Sequence, residues 1–228
     1  MLSAIAIIPS APVMVPELAS GAAAELTDLR DAVFAAAGSL LGRWVAVGVG
    51  RTDAVVGPSQ TGTFAGYGVD VPIALAPGRN DGPTELPLCA LVTGWLRGRV
   101  APDAHAEVRV LADDHDADAA LEQGRRLRRE IDEAADPVGV LVVADGANTL
   151  TQPAPGGYDP DSIPVQAALD DALAAGDAAA LTRLPETIVG RVAYQVLAGL
   201  TGPGPRSAKE LYRGAPYGVG YFVGVWQP

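Results

Sequence analysis

The stretch VGVLVV, residues 138–143, narrows the folding options of this chain more than any other. It is continuous, apolar and mostly β-branched, without the polar alternation that a strand with one wet face would show. Such a strand has to be covered on both faces, so helices must lie above and below the sheet that holds it. AIAII (4–8) and WVAVGV (44–49) have the same character, and each opens into a loop. AEVRVL (106–111) alternates and reads as an edge or half-exposed strand. Between the strands run helical patterns. Asp116 is placed to cap a helix carrying Ala120, Leu121, Gly124, Leu127 and Ile131 at helical spacing. A second helix is expected from about Pro185, with Glu186 in its first turn and Val189, Val192, Val196, Leu197 and Leu200 on one stripe, before Gly202 and Pro203 stop it. The expected fold is a single α/β domain over residues 1–228, a central mixed sheet sandwiched by helices, with 4–8, 44–49 and 138–143 as neighbouring core strands.

A chain of 228 residues that is 49% hydrophobic has material for one such core. The net charge of −11, with Lys209 the only lysine, argues against a nucleic-acid partner, which needs clustered cations. Arg125, Arg126, Arg128 and Arg129 do cluster, but they alternate with Glu122, Glu130 and Asp132 and read as a salt-bridged, solvated helix face. Cys89 is the only cysteine, so neither an internal disulfide nor a cysteine-rich metal site can form, and within LPLCALVTGWL it reads as a buried, inert thiol. MLSAIAII lacks a basic leader and is broken by Pro9, and no stretch approaches the roughly 18 uninterrupted apolar residues of a membrane span. A soluble, cytoplasmic protein without a membrane partner is expected.

Open α/β sheets collect ligands beyond the carboxyl ends of their strands. Three loops qualify: PSAPVMVPE (9–17), GRTDAVVGPSQTG (50–62) and ADGANTLTQPAPGGYDP (144–160). The first exposes Ser10 between stiff prolines, and the last places Asp145 and Asn148 just past a buried strand. Polar residues at strand ends are also ordinary turn formers, so spacing alone leaves both roles open. GRTDAVVGPSQTGTFAGYG is a long Gly-, Thr- and Ser-rich loop, and such loops are uncommon in a compact domain without a use for them. TGPGPRSAKE (201–210) reads as a connector. The closing stretch PYGVGYFVGVW (216–226) ends in a strand, and Gly218 and Gly220 leave room at its start for another backbone or a ligand.

Three blocks, IIPSAPVMVPE, DGANTLTQPAPGGYDPDSIPVQAALDDALAAGD and APYGVGYFVGVW, stand in the order found in the LigB-like family of class III extradiol ring-cleavage dioxygenases and its Memo-type relatives, which the chain resembles from residue 7 to 226. The resemblance implies the same α/β fold, and for the family a non-haem ferrous ion held by two histidines and an acidic residue, with a further histidine as acid and base. Laid on this chain, the histidine positions fall on Ser10, on the neighbourhood of Gly50 and Arg51, and on Asn148. Asp145 is the one retained polar group, and Glu186 lies near the late acidic ligand. The only histidines, His105 and His115, fall outside the blocks and read as surface residues, while DDHDAD reads as an acidic helix-capping run.

The implied function is therefore a metal-free relative of the dioxygenases, with no cofactor, binding a small anionic or polar molecule between Ser10, Arg51, Asp145, Asn148 and Tyr217. Arg51 is the expected anion partner, with a surface ion pair to Asp53 as its alternative. Two enzymatic alternatives stand beside it: a hydrolase with Ser10 as nucleophile, and a dioxygenase with an atypical metal held by Asp145, Glu17 or Glu186. Family members commonly associate, which makes a homodimer a further expectation.

Overall fold

In the first strand Ile5 and Ile7 point to one side of the sheet while Ala4, Ala6 and Ile8 point to the other, and all five are 3% exposed or less. The same split divides Val140 and Val142 from Leu141 and Val143, and Val45 and Val47 from Trp44 and Ala46. This double burial is the reason the runs are continuous in sequence. The computed structural model describes residues 1–19, 21, 24–78 and 82–228. Its strands are β1 (Leu2–Ile8), β2 (Arg43–Gly50), β3 (Ala54–Val56), β4 (Thr61–Thr63), β5 (Pro72–Ala74), β6 (His105–Ala112), β7 (Val138–Val143), β8 (Ser207–Gly214) and β9 (Tyr221–Gln227).

The main sheet has seven strands in the order β3-β6-β2-β7-β1-β9-β8. Its middle, β6-β2-β7-β1, is parallel, while β3 and the β9-β8 pair join antiparallel at the two sides. The expected adjacency of 4–8, 44–49 and 138–143 is thus found, with β7 between the other two. On one face lie α2 (Thr27–Ala37) and α3 (Leu88–Val100), following the short α1 (Pro16–Ala19). On the other lie α4 (Ala117–Glu133), α5 (Ser162–Ala175), the short α6 (Ala178–Leu181) and α7 (Arg191–Thr201). The molecule is a single α/β domain with a mixed sheet between helical layers. Among the described residues no helix is long and apolar enough to cross a membrane.

Helix α4 follows its sequence closely. Asp116 accepts the Ala119 N–H at 2.7 Å, and Ala120, Gly124, Leu127 and Ile131 are buried. Its arginines are laced to acids, Arg125 and Arg129 to Glu122, Arg126 to Glu130 and Arg128 to Asp132. Cys89 is buried in α3, where burial pushes the thiol up to about 12.

Three expectations need correction. The last helix starts at Arg191 rather than near Pro185, because the N–H groups of Val189 and Gly190 bond to the Gly146 and Asp145 carbonyls instead of building a helical turn. Glu186 and Val189 are exposed as a result. Residues 207–210, expected in a connector, begin β8, an edge strand whose half-exposed alternation of Lys209, Glu210 and Arg213 hides it. The long loop after β2 holds β3, β4 and a 3₁₀ turn at Phe64–Tyr67. β6, expected as an edge or half-exposed strand, is the latter: its burial alternates, and it is not at the edge, although β3 covers only three of its residues.

Candidate functional site

Parallel pairing of β1 with β7 runs as far as Ile8 and Val143, so the two chain segments leave the sheet side by side. Two residues beyond each strand stand Ser10 and Asp145, and the Ser10 N–H donates to Asp145 Oδ1 at 2.8 Å. The Pro12–Met14 3₁₀ turn then follows in the first loop, with Met14 buried. From the other side comes the segment entering β9. Gly146 N–H donates to the Gly220 carbonyl and Gly220 N–H to the Ala147 carbonyl, both at 2.8 Å, and Leu150 N–H reaches the Gly218 carbonyl at 3.0 Å. The loops after β1 and β7 and the entry to β9 are thereby tied into one edge.

The glycines of the closing stretch are needed for this knot. Gly218 has φ +75°, and a Cβ there would lie 2.6 Å from Ala154 Cβ. A Cβ on Gly220 would run into the Gln166 amide, 2.6 Å from its Nε2. That amide is buried beneath the knot, where Gln166 Oε1 accepts the Ala147 N–H and Nε2 donates to Asp170 Oδ1, each at 2.8 Å. Burial pushes the Asp170 carboxyl up to about 6 against the pull of the Gln166 bond.

Above the knot lies an open depression of about 510 Å³. Its polar lining is Ser10, Asp145, Tyr217 and Tyr221, and its walls are Ala11, Pro12, Val13, Leu88, Pro155 and Val219. Burial pushes the Asp145 carboxyl up to about 7, with the Ser10 N–H opposing. Burial first, and then the nearby Asp145, raise the Tyr221 phenol as well. Tyr217 is likewise raised, by burial and then by Glu25, whose Oε2 accepts its hydroxyl at 3.4 Å. Both phenols therefore remain O–H donors at neutral pH.

Of the five residues expected at the site, three meet there: Ser10, Asp145 and Tyr217. Asn148 does not line the depression. Its carbonyl accepts the Gly156 N–H at 3.0 Å and closes the 148–156 loop, and its side chain packs on Gly156, where a Cβ would come 2.5 Å from Oδ1. Arg51 is exposed one strand further along the same edge, outside the lining. It makes no ion pair with Asp53, because Asp53 is taken by His115, whose Nε2 lies 2.8 Å from Oδ1, and by the Ala112 N–H. The Ala112 N–H first and His115 second hold Asp53 below the usual carboxylate range. His115 is thus a partnered residue rather than a lone surface one. Tyr221 is the site residue that sequence reasoning missed; its place four residues after Tyr217, at a strand entrance, was the available signal.

Ferrous iron held by two imidazoles and a carboxylate does not fit these residues. Ser10, Arg51 and Asn148 offer no imidazole, His105 lies exposed at the far end of the strands, and Asp145 is the only carboxylate among the described lining residues. Glu17 is paired with Arg99 at 3.1 Å and Glu186 is exposed, both outside the depression. Among the described residues no group of three or more His, Cys, Asp or Glu side chains is placed to hold a metal ion. Among the same residues no hydrogen bond links the Ser10 hydroxyl to a base, which leaves a nucleophilic serine without activation.

No family model matches the sequence, and no curated protein does. Among solved structures the chain is similar to the crystal structure of uncharacterized protein JW3007 from Escherichia coli K12, at 10% identity over 99% of this chain and 100% of that one, with a TM-score of 0.54. At that identity the likeness speaks for the fold alone.

Proposed function

We propose that the chain is a divergent, metal-free relative of the class III extradiol dioxygenases that binds a small polar molecule in the depression at the carboxyl ends of β1 and β7. One observation carries this reading. The three segments that resemble the family, far apart in sequence, come together around one open depression through Ser10 to Val13, Asp145 and Pro155, and Tyr217 to Tyr221. Hydrogen-bonding groups stand at its floor where a decayed site would have been filled by Leu, Phe or Met, since each filled methyl-sized void stabilises a fold by about 1 kcal/mol. The anionic ligand class loses its support, because Arg51 is not in the lining and no described lining residue is cationic.

The test is a thermal-shift screen of small polar fragments, since a ligand that prefers the folded state raises Tm. Hits are expected on the wild type and are expected to vanish with Tyr217→Ala. The unliganded variant should melt within about 2 °C of wild type, as substitutions of half-exposed residues usually do. A screen without hits, or hits indifferent to Tyr217, would remove the depression as the binding site.

A further inference from the structure

We infer that the molecule taken by this depression is a small organic amine in its protonated form, its ammonium group meeting Asp145 Oδ2 and its apolar body lying on Pro12, Val13, Leu88 and Val219. This rests on the reading of the depression as a binding site and adds the chemical class of the ligand. Asp145 is the only carboxylate among the described lining residues, and none of them is Lys, Arg or His. Its Oδ1 is held by the Ser10 N–H. Oδ2 has no hydrogen bond from a described residue, yet it is not sealed from solvent, so it opens onto the depression as a free acceptor.

Two phenols, Tyr217 and Tyr221, share the lining with this carboxylate, and aromatic faces and hydroxyl lone pairs both favour a cation. Glu25, which accepts the Tyr217 hydroxyl, is also negative. An anion would meet repulsion here, and no described lining residue offers a guanidinium or ammonium to offset it. The chain's net charge of −11 enriches cations around the molecule before contact.

The geometry has a pH signature. Burial places the Asp145 carboxyl at about 7, and the groups facing it from the packed elements are the Ser10 N–H, Tyr194 on α7, Tyr217, and Tyr221 on β9, so among the described lining residues no fixed charge overrides its titration. An ammonium needs the ionised carboxylate. Its affinity should climb about tenfold or more between pH 5.5 and pH 8, as linkage to a group titrating near 7 requires. A ligand that accepts a hydrogen bond from the neutral acid would show the opposite trend.

Calorimetric or ligand-observed NMR titration with benzylamine, benzyl alcohol and benzoate tests this on the intact wild-type chain. Benzylamine is expected to bind best at pH 8 and to weaken about tenfold at pH 5.5, with the preference for the amine abolished by Asp145→Asn, which keeps an acceptor for the Ser10 N–H. Preferred binding of benzyl alcohol or benzoate, lost with Tyr217→Ala, would overturn the amine assignment while leaving the site in place. Failure of all three compounds, together with a fragment screen without hits, would overturn both the assignment and the site.

Discussion

Gly124→Ala should destabilise the protein by about 3 kcal/mol, even though alanine is the better helix former by about 1 kcal/mol. Gly124 lies where α4 crosses α7, and a Cβ there would fall on the Val196 carbonyl oxygen and within 2.7 Å of the Leu200 nitrogen. Across the contact, Gly199 of α7 faces the Leu121 backbone, with a Cβ 2.9 Å from the Leu121 carbonyl carbon. These are main-chain atoms on both sides, so no side chain can rotate away and the helices have to separate. Separation would loosen the layer that holds Leu127, Ile131, Val192 and Val196 on the sheet. The expected loss in Tm is roughly 6 to 12 °C for a domain of this size. Gly98→Ala is the control, since Gly98 is exposed in α3 with nothing within 4 Å of an added Cβ. It should be neutral or stabilise by about 0.5 to 1 kcal/mol. Thermal unfolding followed by circular dichroism reads both, and equal effects of the two substitutions would contradict the close helix crossing.

Asp145→Asn should raise stability at pH 8 and leave it unchanged at pH 4. The carboxyl ordinarily titrates at 3.8, and in the fold burial moves it to about 7. Between those values the folded chain holds a proton that the unfolded chain has released, so stability grows as pH falls through this window. Above about 7 the folded state carries the full cost of a poorly solvated carboxylate. At about 1.4 kcal/mol per pKa unit the upper bound on that cost is roughly 4 kcal/mol, and the edge that Asp145 shows to the depression reduces it to about 1 to 3 kcal/mol. Asparagine removes the charge and still accepts the Ser10 N–H. Asp170, raised to about 6, adds a stabilising slope in the same direction over a lower window. Wild type is therefore expected to melt higher at pH 5 than at pH 8, and the variant should narrow that gap. A wild-type Tm that falls steadily from pH 8 to pH 5 would show that the carboxyl is solvated and ionised in the fold. The same penalty gives the site its logic: an uncompensated carboxylate is kept at the strand ends, where a cation can relieve it.

The strands that can be recognised from the sequence are those buried on both faces. β1, β2 and β7 have to be apolar throughout, and that pattern needs no knowledge of neighbours. β8 is hidden because an edge strand with Lys209, Glu210 and Arg213 resembles a connector until β9 pairs with it. The start of α7 is obscured for a related reason. Pro185 has the look of a first helical residue, yet the donors that follow it are used by the Asp145 and Gly146 carbonyls, a tertiary demand that local propensity does not contain. At the site, Ser10 and Asp145 are legible because both follow core strands directly and parallel register brings such positions together. Arg51 follows a core strand too, but Asp53, two residues on, binds His115 and Ala112, and the guanidinium is left exposed. Where a side chain turns after a strand end is decided by partners distant in sequence. The roles of Gln166 and Gly220 are hidden in the same way, since each acquires its meaning only when the two loops meet.

Whether the strand-end depression works without iron decides between a binding protein and an oxygenase. Anaerobic calorimetric titration of the purified, chelator-treated chain with ferrous ion measures this directly. Saturable binding is expected to be absent, because among the described lining residues Asp145 is a single carboxylate without imidazole partners. Binding of one ferrous ion per chain, abolished by Asp145→Ala, would contradict the metal-free reading and return the site to iron chemistry.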